Sequence, residues 1–339
     1  MRKSLLLIDG SSLLCSCFYG NLPTNYKFAK TEEDKDTYLP QLLHTSDGQY
    51  TNGVFTMMSS LLNILKKQKP THIAVAFDLT RMTFREKLFS DYKGQRKEIR
   101  DELKSQFSLT EHVLTKMNIP VFAFNEYEAD DVLGTLSKKF GDEILVNILT
   151  KDQDALQLID NNIRVWLMTS KYKEMYNEVG LNPKIFNIPK GVFEFTPLYV
   201  EHFYGLSPIQ IIDKKSIEGD VSDNIPGVKG VGPKAVIPLL QEFKTLEGIY
   251  DYIENTSEKD IKDMFKLLGI KRSPLSNLTK RSETELVGKQ SAFLSKTLAT
   301  VKCNIPELEG ILLDSLKTNI NEVAMKDIFT KLEFNTLIK

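Results

Sequence analysis

The chain has 339 residues, of which 41% are hydrophobic and 26% charged, with a formal net charge of −1. That is an ordinary globular composition, long enough for one large domain or two smaller ones. The near-neutral charge by itself argues against a nucleic-acid partner, and no apolar run reaches membrane-spanning length. Three cysteines, Cys15, Cys17 and Cys303, are too few for a disulfide framework and lack the partners of a zinc pattern, so free thiols are expected.

In chain order, SLLLID (4–9) is a short apolar run that ends in Asp9. Its basic start lacks a small-residue cleavage site, so it reads as a strand of a soluble, cytoplasmic protein. A polar stretch at 21–41 reads as a loop or insertion. GVFTMMSSLLNILKK (53–67) has helical apolar spacing, and HIAVAFD (72–78) is a second strand, ending in Asp78. Between Arg81 and Lys104 eight Lys or Arg face five Asp or Glu, a locally positive segment inside a neutral chain. PVFAFN (120–125) is a third strand. It leads into YEADD, where Glu128, Asp130 and Asp131 open a helix over 128–140. EILVNILT (143–150) is a fourth strand, followed by Asp152 and Asp154, and IRVWLM (163–168) is a fifth. A second polar stretch covers 170–191. From about 197 the pattern is helical, and 218–240 carries Asp220, Asp223 and a Gly-rich turn.

Strands alternating with helices predict a mostly parallel α/β sheet flanked by helices. Such sheets bind ligands beyond the carboxyl ends of their strands, and here four of five strands end in or lead into carboxylates. Adjacent like charges repel and are costly unless a cation relieves them. A hard divalent ion takes one or two carboxylates alongside substrate phosphate, so nine acids suggest two ions. Two metals about 3.5–4 Å apart can activate a water and stabilise the leaving oxygen of a phosphoryl displacement. In this division Asp152, Asp154, Asp220 and Asp223 serve one ion and Glu128 and Asp130 the other, with Asp9, Asp78 and Asp131 acting directly or through water. The Gly-rich turn lacks the preceding strand of a dinucleotide site and the Lys-Ser/Thr of a P-loop. A glycine hairpin between two helices, offering backbone N–H groups to a phosphate, fits it better.

The strings LLLIDGSS, THIAVAFD with TFREKLFSDYKGQR, YEADDVLGTL, ILTKDQDALQL, GDVSDNIPGVKGVGPKA, FLSKTLATVK and IFTKLEF together resemble the 5′-nuclease (flap endonuclease) family, in particular the 5′-3′ exonuclease domain of bacterial DNA polymerase I. The resemblance runs from about 4 to 336. No polymerase domain follows, so a stand-alone form is expected, from a bacterium or a phage. It implies a PIN-like catalytic domain at 1–196 with a helical arch at about 81–110. A helical region at 197–339 would hold a helix-hairpin-helix DNA-binding element at about 218–240. It also implies Mg²⁺-dependent hydrolysis with two or more ions, Mn²⁺ as a substitute, and K⁺ at the hairpin. The metal-ligand positions fall on Asp9, Asp78, Glu128, Asp130, Asp131, Asp152, Asp154, Asp220 and Asp223. The resemblance puts Arg85, Lys93 and Arg96 near the scissile phosphate and Tyr92 where it can stack on a base. Gly227, Lys229, Gly230, Gly232 and Lys234 fall on the DNA-holding hairpin.

The implied activity is structure-specific 5′-3′ exonuclease or flap-endonuclease cleavage of DNA, leaving 5′-phosphates, in replication and repair. The implied partners are DNA with 5′ flaps, nicks or free 5′ ends, and RNA primers, acted on by a monomer with no membrane association. Two alternatives keep the same acids: an RNA-cutting PIN-type nuclease, and a DNA-structure-binding protein without catalysis. A Mg²⁺ phosphatase with a nucleophilic Asp needs a second Asp two residues after the first; Ser11 stands there instead.

Overall fold

The structure is a computed structural model that describes residues 3–80, 82–96, 98–183 and 187–338. Its centre is one six-stranded sheet, in the order β3-β2-β1-β4-β5-β6. The strands are β1 Ser4–Asp9, β2 His72–Ala76, β3 Val121–Phe122, β4 Leu145–Thr150, β5 Ile163–Met168 and β6 Val192–Phe195. β1 to β5 are parallel, and β6 pairs antiparallel with β5 along the edge. The first five match the predicted runs. β6 went unrecognised because VFEF is a four-residue edge strand squeezed between a Gly and a Pro, too short for alternation to register.

The apolar runs are continuous because both sheet faces are covered. On β1, Leu6 and Ile8 face one core cluster and Leu5 and Leu7 face another. The first cluster packs under the helices Gly10–Gly20, Asn52–Gln68 and Asp101–Lys116, and the second under Ala129–Phe140. β1 lies between β2 and β4 with Asp9 opposite Ala76 and Ile8 opposite Leu149. The carboxyl ends of the three strands therefore adjoin on one rim.

The stretch 21–41 contains two short helices, Thr24–Phe28 and Glu32–Asp36, and 170–191 contains the helix Tyr172–Glu178. Across the region expected as a helical arch, the chain forms a five-residue helix, Phe84–Leu88, then turns, then the start of Asp101–Lys116. Arg81 and Lys97 lie outside the described residues. Arg100, at the N-cap of the long helix, pairs with Glu32, Asp36 and Glu102, tying this region to the first polar stretch.

A third core cluster spans Leu206 to Ala292 and is built from helices and the turns between them, including Gln210–Glu218, Pro233–Phe243 and Gly288–Ala299. The chain then returns to the sheet. Val301, Ile305, Leu308 and Leu316 join one of its clusters, and Ile328, Phe329, Leu332 and Phe334 the other. Residues beyond about 300 thus pack with the sheet and not with the helical region in which the sequence reading places them. Among the described residues no helix is long and apolar enough to cross a membrane.

Candidate active site

The rim acids fall into two groups, distinguished by whether the protein supplies a cation. Asp9 ends β1 and caps the next helix: its Oδ1 accepts from the Ser12 N–H (2.8 Å) and its Oδ2 from the Thr150 hydroxyl (2.7 Å). Thr150 Oγ1 accepts in turn from the Asp152 N–H (3.0 Å), which fixes Asp152 beside Asp9 across β1 and β4. Asp78 accepts from the Ala129 N–H (2.9 Å), and its own N–H donates to Ser11 Oγ (2.9 Å), joining β2 to both neighbouring elements. Burial, with help from Asp78 and Asp152, pushes the Asp9 carboxyl up to about 7 against its capping hydrogen bonds. Asp130 rises well above the carboxylate range through burial and its neighbours Asp152, Asp9 and Asp154. Its Oδ1 is buried with no hydrogen-bond partner among the described residues.

The second group is neutralised from within. Asp131 is fully buried and accepts from Arg85 Nη1 (2.8 Å) and Nη2 (2.7 Å), from the Lys302 N–H (2.8 Å) and from the Glu128 N–H (3.0 Å). Both of its oxygens are thus committed, and the expectation that it serves an ion directly or through water is corrected. Arg85, 2% exposed, spends all five N–H donors inside the protein. Nε donates to Leu298 O (2.9 Å), Nη1 to Glu128 (3.3 Å) and Asp131, and Nη2 to Asp131 and Thr300 O (2.8 Å). It cannot reach a phosphate, so its predicted catalytic place is also corrected. Tyr92 is buried against Ile225, Leu298 and Ala299, and its hydroxyl donates to Glu128 (3.1 Å). Its ring is therefore core, not a stacking platform.

Lys93, with φ of 54°, swings its ammonium onto Glu128 (2.7 Å) with Asp223 at 3.7 Å. Burial disfavours the cation, but Glu128 and Asp223 hold it protonated well above the usual lysine range. Half-exposed Arg96 pairs with Asp223. A further internal cation is Lys215, on Gln210–Glu218, whose ammonium bridges Asp154 and Asp220 (2.6 Å to Asp220). Burial still lifts Asp154 to about 6. For Asp220 the upward push of burial is overcome by Lys215 and Ser222, which hold it at about 2.

As the side chains stand, no three acidic, His or Cys groups among the described residues converge to enclose an ion. The cause is visible: the internal cations and helix caps have drawn the carboxylates onto themselves. The nine acids are accordingly one crowded rim and not a finished ligand cage. The donor set still suits a hard divalent cation. It is oxygen-only, Asp9 and Asp130 are buried acids with no ion pair to a Lys or Arg among the described residues, Asp130 Oδ1 is orphaned, and an ammonium stands where Asp154 and Asp220 meet.

The Gly-rich turn lies between Gln210–Glu218 and Pro233–Phe243. Val228 and Val231 anchor it in the helical core and leave Lys229, Gly230 and Lys234 on the surface. Gly227 (φ 59°) is buried: its N–H donates to Ser295 Oγ (2.9 Å), and a Cβ there would meet Gly219 N at 2.3 Å. It shapes the turn and does not contact solvent. Gly232 caps Pro233–Phe243 in an extended conformation, with φ of −120°.

Residues 4–185 match the family of the 5′-3′ exonuclease N-terminal resolvase-like domain, and residues 206–325 match the 5′-3′ exonuclease C-terminal SAM fold. The chain belongs to the 5′-3′ exonuclease family. Its members are hydrolases that cut phosphodiesters, as exonucleases and flap endonucleases. Among relatives, DNA polymerase I of Caldicellulosiruptor bescii is 32% identical over 99% of this chain and 33% of its own length, and that of Bacillus subtilis is 32% identical over 100% and 32%. The chain spans about a third of the length of these polymerases. Among solved structures, a T5 5′-exonuclease with bound divalent metal ions (zinc) superposes with a TM-score of 0.58 at 18% identity, covering 97% of this chain and 99% of that one. The catalytic core of Rad2 in complex with DNA substrate gives 0.52 at 14% identity, covering 100% and 94%. At these identities the likeness is one of fold.

Sequence reasoning missed Lys215, Thr150 and Ser12 as members of this site. Thr150 ends a strand beside Asp152, and Ser12 stands at the third position after a capping Asp, signals that were present. Lys215 lies in a helix with no feature to separate it from Lys214.

Proposed function

We propose that this chain is a divalent-metal-dependent, structure-specific nuclease that cleaves DNA at flaps, nicks or free 5′ ends, leaving 5′-phosphates, with Mg²⁺ as its working ion. The observation that carries the reading is the pair of buried acids, Asp9 at the carboxyl end of β1 and Asp130 in the first turn of Ala129–Phe140, neither of which has an ion pair with a Lys or Arg among the described residues. A soluble fold keeps such charge at a cost, which a bound cation relieves. Asp9, Asp130 and Asp152 would hold one ion, with Asp78 beside them, and Asp154 and Asp220 a second. Bound there, the ions supply Lewis-acid activation of water and neutralise charge at the phosphate.

The chain's own residues do the rest. Thr150 and Ser12 orient Asp9, and the Thr150 hydroxyl also fixes Asp152, so the first pair is preorganised by β1 and β4. Lys93 and Arg96, which pair with Glu128 and Asp223, would donate to phosphoryl oxygens as negative charge grows on them. Lys229, Lys234 and the N–H groups of the exposed turn would grip the duplex backbone without sequence preference. For K⁺ the turn is less accommodating, since the Gly227 carbonyl already accepts from Ser291 and the Val228 carbonyl from the Val231 N–H.

The test is cleavage of 5′-labelled flap, nicked and blunt duplexes with Mg²⁺ and with EDTA. Release of short 5′-labelled fragments in Mg²⁺ alone is expected. Activity that survives chelation overturns the mechanism.

A further inference from the structure

Lys215 is an internal cation that spans Asp154 and Asp220, two candidate ligands from different parts of the fold. Its ammonium lies against Asp154, on the 3-10 turn after β4, and Asp220, in the loop after its own helix. The side chain is largely buried, and no other Lys or Arg among the described residues pairs with either acid. Ser222 completes the shell of Asp220 through its N–H (2.8 Å) and hydroxyl (2.7 Å). The first group, Asp9 and Asp130, has no comparable resident. The two halves of the rim therefore offer a divalent ion different terms. At one the buried acids have no ammonium or guanidinium paired with them among the described residues, and in the other an ammonium must leave.

We infer that Lys215 is a resident counter-ion of the Asp154–Asp220 position, which a divalent ion enters only by displacing it. Lys215 thereby holds the two acids together in the ion-free protein and sets a lower affinity for that position than for the Asp9–Asp130 one. The displaced ammonium, on a four-carbon stem, is then available to a phosphate brought by the substrate, so substrate and the weaker ion favour each other. A unit charge a few ångströms from the incoming ion dominates such a competition, because burial weakens screening. The inference rests on the reading of the rim as a metal centre, and its test is built to separate the two.

The experiment is calorimetric titration of Mn²⁺ into DNA-free wild-type protein, Lys215→Met and Lys215→Arg, with thermal melting in EDTA alongside. Wild type is expected to bind a tighter and a weaker ion. In Lys215→Met the weaker site tightens by about ten-fold or more, while melting in EDTA falls because Asp154 and Asp220 repel. Lys215→Arg keeps the charge and stays close to wild type in both. A weaker site unchanged or lost in Lys215→Met overturns the inference, whereas wild type binding no ion at all overturns the metal reading itself. If Lys215→Met does not fold in EDTA, Mn²⁺ must refold it, and failure of the ion to do so also overturns the inference.

Discussion

The two halves of the acidic rim meet the same problem by opposite means. Around Glu128, Asp131 and Asp223 the fold brings in Arg85, Lys93 and Arg96, and every carboxylate has a cation of its own. Around Asp9 it brings in only a hydroxyl and a backbone N–H, burial lifts Asp9 to about 7, and burial beside Asp152 and Asp9 lifts Asp130 well above the carboxylate range. The first half is finished without a ligand; the second is not. The contrast shows that counting acids in a cluster overstates a site, because a carboxylate that owns a salt bridge is architecture, and one that lacks it is chemistry waiting for an ion.

The sharpest way to break this contrast is to remove one acid from the unfinished half. Asp130→Ala or Asp152→Ala should lower cleavage by at least about 10³-fold, roughly 4 kcal/mol of barrier, while flap binding measured by anisotropy holds. In EDTA, Asp130→Ala should also melt higher than wild type, since a buried repelled charge is gone. Near-normal turnover in either variant would leave the metal assignment without support. Arg85→Met probes the finished half and should cost about 3–5 kcal/mol of stability by stranding buried Asp131, seen as a large fall in melting temperature with or without Mg²⁺. A variant that melts normally but has lost only the chemical step would restore Arg85 to the reaction.

The pH dependence separates the halves more gently. Unfolded, Asp9 loses its proton near 3.8; folded and ion-free, near 7. Between these values the folded state holds the extra proton, so stability in EDTA should fall as pH rises from about 4 to about 7. Mg²⁺ should flatten or reverse that slope, and parallel slopes in the two buffers would contradict it. Smallest of all, Tyr92→Phe removes a hydrogen bond to Glu128 and should cost about 1 kcal/mol, with flap affinity unchanged. A loss of affinity for single strands would revive the stacking role.

Much of this arrangement is legible in the chain. The strands β1, β2, β4 and β5 are dense apolar runs buried on both faces, and their terminal carboxylates mark the rim because a parallel sheet puts all such ends on one side. The partnering of charges is not legible. Arg85 looks like any arginine of a basic segment, and its buried partner Asp131 stands 46 positions away. Nothing local distinguishes a guanidinium facing phosphate from one facing a carboxylate. Tyr92 follows the same rule, since its burial is decided by Ile225 and Leu298 from the helical region. β6 escaped because an edge strand of four residues owes its existence to β5 beside it.

The saturated guanidinium of Arg85 also fixes where this molecule can bend. Moving Phe84–Leu88 relative to Ala129–Phe140 and its cap would rupture three hydrogen bonds, and moving it relative to the backbone at Leu298 and Thr300 two more, in a place water does not reach. That joint behaves as a rivet. The turn beyond Leu88, which carries Lys93 and Arg96, is fastened elsewhere: the Lys93 N–H donates to the Asp223 carbonyl and the Asn224 amide to the Asp91 carbonyl, so the groups that would meet the phosphate ride with the loop of Asp220 and Asp223.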